Sequence, residues 1–314
     1  MIKIDLVTGF LGAGKTTFIK KYASYLLKKG MNIGILENDF GAVNVDMMLL
    51  KELEGENCEL EMIAGGCDRE THRRRFKTKL IAMGMCGYDR VIVEPSGIFD
   101  VDEFFDALHE EPLDRWYEVG NVITIVDAGL EEELSAQGEY LLGSEAACAG
   151  RVVFSRAGET SVEKIRETTA RLNQAMETIR CSRRFGEDIF CKDWESLSDK
   201  DYEMLLNCGH RKETYEKQHF VQQAFQSLYF MNTGICAEKL KEASDKIMSD
   251  SECGSVFRIK GFARNKEGNW MELNAVRGES CLRPIDTGQE VIIVIGEAPV
   301  KEKIESQLNF MTDN

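Results

Sequence analysis

A chain of 314 residues can bury a sizeable core, and ordinary domain sizes point to one large domain or two modest ones. The formal net charge of −15 argues against nucleic acid as a general partner, because that binding rests on clustered cations neutralising phosphates. The ten cysteines form no Cys-x-x-Cys pair, and the opening MIKIDLVTGF lacks the charged-then-apolar pattern of a signal peptide; both fit a reducing cytoplasm, and no apolar run nears the roughly 20 residues that span a membrane.

In chain order, IKIDLVT, NIGILEN, RVIVEPS, NVITIVD and RVVFSR are short runs rich in Val and Ile, and read as strands. Residues 16–29 follow the first of them, with Phe18, Ile19, Tyr22, Tyr25 and Leu26 recurring at helix spacing. Strands alternating with helices predict βαβ crossovers, hence an α/β fold with a mainly parallel sheet flanked by helices. After about residue 208 the pattern changes. HFVQQAFQSLYF (219–230) reads as extended, CAEKLKEASDKIM (236–248) as a helix, and SVFRIKGFARNKEGNWMELNA (255–275) as two strands around a Gly-containing turn. A strand at 291–296 and a helix from about 299 to 310 close the chain. These elements predict a small C-terminal α+β domain, and the chain divides into 1–210 and 211–314.

GFLGAGKTT places Gly9, Gly14, Lys15 and Thr16 in the pattern G-x-x-x-x-G-K-[ST], between an apolar strand and a helix. Glycines let the backbone wrap a phosphate with its N–H groups, and the helix that starts there adds the positive end of its dipole. The candidate phosphate-binding residues are Gly9, Gly12, Ala13, Gly14, Lys15, Thr16 and Thr17. Lys15 is placed to neutralise the β and γ oxygens of a nucleoside triphosphate, and Thr16 to hold Mg²⁺ through its hydroxyl. VIVEPSG (91–97) ends the third predicted strand with Glu94, an acid that can reach the Mg²⁺ shell, and Gly97 follows with a backbone N–H for the γ-phosphate.

TGFLGAGKTT, ENDFGAVNVD (37–46), VIVEPSG, NVITIVDA (121–128) and FRIKGFARNKEGNW (257–270) occur in the order found in the CobW/UreG/HypB class of P-loop GTPases, and the chain resembles the CobW-like branch of metal chaperones within it. The resemblance implies slow, Mg²⁺-dependent hydrolysis of a nucleoside triphosphate, coupled to delivery of a metal or metallocofactor to a client protein. It makes NDFGAVNVD the first switch segment, in which Asp39 and Asp46 arrange Mg²⁺ and the attacking water. Lys15, Glu94 and Asp39 form the expected catalytic set.

The chain departs from the family in two places. Where the family carries Cys-x-Cys-Cys, this chain has Cys67, Arg69 and Glu70, so one thiolate of three remains. Zn²⁺ or Co²⁺ at this segment then depends on Cys67 with Glu70 and His72, helped by Cys58 or Cys86, and a cation at Arg69 opposes a metal. The other reading is a helix-starting loop with a buried cysteine. At the guanine-reading Asn-Lys-x-Asp, VVFSRAGE places Ser155, Arg156 and Gly158. Ser155 and Arg156 remain nucleotide-binding candidates, the latter by stacking its guanidinium on a base. Gly158 offers no carboxylate and Glu159 would serve only after a one-residue shift, so ATP stands beside GTP. HRRRFKTK (72–79) is either a solvated helix face or a basic segment that meets an acidic partner or supplies an arginine finger to a second copy, as in a homodimer. An alternative to metal delivery is a nucleotide-sensing adaptor that acts on a corrinoid or redox enzyme without binding metal.

Overall fold

The computed structural model describes residues 1–10, 12–38, 45–63, 69–95, 101–130, 134–218, 225–276, 278–286 and 288–312. The chain forms two compact units, Met1–His219 and Phe220–Asn314. In the first, the order is β1 (Ile2–Gly9), α1 (Lys15–Lys28), β2 (Ile33–Asn38), α2 (Val45–Leu50), β3 (Cys58–Ile63), α3 (Arg69–Gly84), β4 (Arg90–Pro95), α4 (Val101–Leu108), α5 (Leu113–Trp116), β5 (Tyr117–Asp127), α6 (Ala136–Ala147), β6 (Arg151–Ser155), α7 (Val162–Thr178) and α8 (Asp199–Leu206). The strands form one sheet in the order β3-β2-β4-β1-β5-β6, and every pairing is parallel.

Successive residues of a strand face opposite sides, and both sides of this sheet are covered, which is why the inner strands read as unbroken apolar runs. Val7, Ile33, Ile35, Ile92, Ile123 and Ile125 pack on one face against Phe18, Ile19, Tyr22 and Leu26 of α1. Ile4, Leu6, Leu36, Val91, Val93, Val122 and Val126 pack on the other, against Phe76 and Leu80 of α3, Phe104 of α4 and Leu172 of α7. The predicted third strand is the fourth in chain order, because CELEMI forms β3. That segment carries Glu59 and Glu61 among its apolar residues, since it lies at the sheet edge.

The second unit is an antiparallel sheet in the order β10-β9-β8-β11-β7, built from β7 (Phe225–Met231), β8 (Ser255–Arg264), β9 (Trp270–Val276), β10 (Glu279–Pro284) and β11 (Val291–Glu297), with α9 (Ala237–Ser249) and α10 (Lys301–Thr312). Leu240, Ala243 and Ile247 of α9 join Val256, Ile259, Leu273, Ile292 and Val294 in its core. The composition shift put the division at 210/211. Residues beyond it still bind the first unit: the Glu216 N–H donates to the Ile179 carbonyl at 2.8 Å, and Tyr215 Oη donates to Asp102 at 3.1 Å.

A buried charge pair joins the middle of the parallel sheet. Asp5 on β1 is fully buried and accepts from Arg90 on β4 at 2.6 Å, from the Tyr22 hydroxyl at 2.8 Å and from the Asn121 N–H at 2.8 Å. Removing one partner of such a pair strands the other charge without water. Asp5→Asn is therefore expected to lower stability by about 3–5 kcal/mol in urea unfolding, and adding Arg90→Met to recover part of that loss.

Candidate nucleotide site

At the carboxyl end of β1 the chain must turn sharply beneath its neighbour. Gly9 has φ 142°, and a Cβ there would stand 2.2 Å from the Ile125 carbonyl oxygen of β5, so only hydrogen fits. Gly12 and Gly14 also take positive φ, 84° and 99°. The Ala13 N–H donates to the Phe10 carbonyl at 3.1 Å, and α1 begins when the Phe18 N–H reaches the Gly14 carbonyl at 3.0 Å. Lys15 lies back along this loop, donating from Nζ to the Gly9 carbonyl at 2.9 Å. Thr17, the next residue but one, is exposed on α1.

Thr16 and Glu94 come together although 78 residues separate them, the Thr16 hydroxyl donating to Glu94 Oε1 at 2.9 Å. The pairing follows from topology: β1 and β4 are adjacent and parallel, so the start of α1 and the last turn of β4 share one end of the sheet. Both residues are buried, and their hydroxyl and carboxylate oxygens are hard donors of the kind Mg²⁺ takes. Glu37 of β2, which the sequence reading passed over, is also buried and lies in register with Glu94. Asp39 and Gly97 lie outside the described residues, and Asp46 lies on α2.

On the opposite flank of β1, Ser155 ends β6 with its hydroxyl 3.5 Å from the Val126 carbonyl. Arg156 follows in the left-handed region, φ 53°, and its guanidinium pairs with Asp127 at the end of β5. That pair holds Arg156 to the sheet end. Trp194 closes this side: its ring atoms come within 3.5 Å of where a Gly14 Cβ would stand.

Glu145 went unnoticed in the sequence, although an acid within the apolar run LLGSEAACAG is itself a signal. It is fully buried on α6, accepting from the Thr8 hydroxyl at 3.3 Å. Burial pushes its carboxyl up to about 8, against the opposing pull of Lys15 and of the Thr8 hydrogen bond.

The residues proposed for a transition metal take separate directions. Cys67 lies outside the described residues. Glu70 is exposed and pairs with Arg74 at 2.5 Å, whereas His72 turns into the interior, where burial and then Arg75 lower its pKa. Two residues apart on a helix, they face different sides. Cys58 is buried, and desolvation, followed by Glu54, pushes its thiol up to about 11; Cys86 is exposed. Among the described residues no cluster of three or more His, Cys, Asp or Glu is arranged to hold a metal. The basic run of α3 is tied to this chain's own acids: Arg73 and Lys77 meet Glu110 at 2.5 and 2.6 Å, and Lys79 meets Glu61 at 2.6 Å. Among the described residues no helix is long and apolar enough to cross a membrane.

Residues 3–184 match the model of the CobW/HypB/UreG nucleotide-binding domain. The zinc chaperone YjiA of Escherichia coli (strain K12) is 30% identical over 185 residues, 55% of this chain and 55% of that protein. The zinc chaperone YeiR of the same organism is 30% identical over 167 residues, 52% of this chain and 49% of that protein. The chain thus spans about half the length of these curated relatives. Among solved structures, Zn(II)-bound YjiA GTPase from E. coli aligns over 99% of this chain and 98% of that one, with 17% identity and a TM-score of 0.37.

The buried acid carries a pH signature. An unfolded chain releases the Glu145 proton near pH 4.5, the folded one near 8, so between these values the folded state holds more protons and stability falls as pH rises. Comparing urea midpoints across this window, Glu145→Gln is expected to flatten the decline by at most about 1.4 kcal/mol per pH unit.

Proposed function

The chain belongs to the CobW/HypB/UreG family, and from that premise we propose that it binds a nucleoside triphosphate with Mg²⁺ on the loop Gly9–Thr16, hydrolyses it slowly, and couples the cycle to delivery of a metal or metallocofactor to a client protein. The observation that supports this most is the Thr16–Glu94 hydrogen bond beside Lys15, which gathers a hydroxyl, a carboxylate and an ammonium at one end of the sheet. The backbone N–H groups of Gly12 to Thr16 cradle the phosphates, and Lys15 leaves the Gly9 carbonyl for the β and γ oxygens. Thr16 and Glu94 hold Mg²⁺, which when bound neutralises charge on the phosphate oxygens. Asp39 and Asp46 are assigned to the attacking water and to Mg²⁺ by resemblance, and Gly97 to the γ-phosphate. Slow turnover is expected because no arginine finger within the chain is identified, and a partner would complete the site.

The metal that is carried is a substrate of this cycle, and the relatives' names make Zn²⁺ the first to test. The adaptor reading is favoured by one observation, the divergence of Glu70 and His72 on α3. In that reading nucleotide binding switches contacts with a corrinoid or redox enzyme, and no metal is carried.

Phosphate release by purified protein with Mg²⁺ and GTP or ATP is expected to exceed that of Lys15→Ala, which should fall to background; equal rates would remove hydrolysis from the account. Equilibrium dialysis against Zn²⁺ and Co²⁺ separates the two readings. Stoichiometric uptake lost in Cys67→Ala supports delivery, and absence of uptake supports the adaptor.

A further inference from the structure

The two flanks of the loop differ in chemistry. Thr16 and Glu94 meet on the β4 side of β1, which places the terminal phosphate there. The nucleoside then extends the other way, over the carboxyl ends of β5 and β6. This follows from reading Gly9–Thr16 as a triphosphate site, and the inference drawn here rests on that reading.

On that side, Phe190 continues the sheet by one parallel bridge to Val153, with the Phe190 N–H donating to the Val152 carbonyl at 2.8 Å and the Phe154 N–H donating to the Phe190 carbonyl at 2.9 Å. The loop that follows therefore emerges at the same end as Ser155 and Gly158, and it carries Asp193 and Trp194. Trp194 packs edge-on against Phe18 with ring centroids 5.5 Å apart, and its ring lies against Gly14. Asp193 turns to Gly158 instead. A Cβ on Gly158 would lie 3.0 Å from Asp193 Cβ, 3.1 Å from its Cγ and 3.4 Å from its Oδ2. The space for a carboxylate rooted at 158 is thus already filled by one rooted at 193.

We propose that Asp193 reads the base in place of the acid that Gly158 lacks, and that the site is selective for guanine. Guanine presents N1–H and a 2-amino group as two neighbouring donors that suit one carboxylate, whereas adenine presents an acceptor at N1 and no amine at C2. The acid at the end of β5 is committed elsewhere. Asp127 accepts from Arg156 on one oxygen and from the Gly129 N–H at 2.9 Å on the other. Glu159 is exposed, in a turn closed by its backbone N–H on the Arg156 carbonyl at 3.1 Å. Asp193 Oδ1 accepts the Glu195 N–H at 3.0 Å, while its backbone carbonyl accepts the Ser196 hydroxyl at 2.8 Å and the Ser196 N–H at 3.1 Å. These bonds fix the loop, and among the described residues Oδ2 takes no hydrogen bond. Gly158 suits this arrangement, since a side chain there would crowd Asp193, which would have to give by a few tenths of an ångström.

The test is competition of GDP, ADP and XDP against fluorescent GDP on the full chain with Mg²⁺, in wild type, Asp193→Asn, Lys15→Ala and the double variant Gly158→Asp with Asp193→Gly, which removes the Cβ that a side chain at 158 would meet. An asparagine amide keeps the cap on the Glu195 N–H yet donates to the 2-oxo group of xanthine. The expected result is guanine preference in wild type, a roughly ten- to hundredfold loss of GDP affinity in Asp193→Asn with a gain for XDP, and recovery of guanine preference in the double variant. A merely structural role for Asp193 would not turn the site toward xanthine. Nucleotide binding without guanine preference, or an unchanged GDP-to-XDP ratio in Asp193→Asn, overturns the proposal and leaves the triphosphate site standing. Wild type that binds no better than Lys15→Ala overturns the site itself and the proposal with it.

Discussion

Everything at the functional end of the first unit depends on how closely β1 approaches β5. Because the Ile125 carbonyl leaves no room for a side chain at Gly9, the strand ends against its neighbour and the chain turns into the loop. That turn sets the start of α1, and α1 in turn sets where Lys15 and Thr16 stand. The parallel neighbour on the other side, β4, then brings Glu94 to Thr16 without any further requirement on the intervening 78 residues. Thr16 and Glu94 thus stand at the ends of regular elements packed through two hydrophobic layers.

Two buried acids on or beside β1 show how the same fold handles charge differently. Asp5 is surrounded by donors from three elements, so it links β1, α1 and β4 to β5. Glu145 accepts from the Thr8 hydroxyl, and burial pushes its carboxyl up to about 8 against the pull of Lys15. The first is a structural joint. The second is a buried acid whose charged form the fold disfavours.

The parallel sheet and its crossovers were legible because inner strands covered on both faces are continuous apolar runs, and the loop was legible because its glycines and Lys15 fall at fixed spacing. Two edge strands escaped: β3, with Glu59 and Glu61, and β10, with Arg283 and Pro284, carry polar residues that a buried strand would exclude. The Thr16–Glu94 contact was foreshadowed by motif spacing, since each residue ends a recognisable segment. Asp193 was not, because its relation to Gly158 exists only after Phe190 extends the sheet beside β6. The grouping of Glu70 with His72 looked plausible along the chain but not around a helix, where residues two apart diverge.

The account turns on the loop Gly9–Thr16 holding a nucleoside triphosphate together with Mg²⁺ carried by Thr16 and Glu94. The most direct measurement is equilibrium dialysis of non-hydrolysable GTP and ATP analogues against the purified chain, with and without Mg²⁺. The account predicts one triphosphate per chain, bound more tightly when Mg²⁺ is present. Absence of saturable binding of either analogue, or binding indifferent to Mg²⁺, would contradict it.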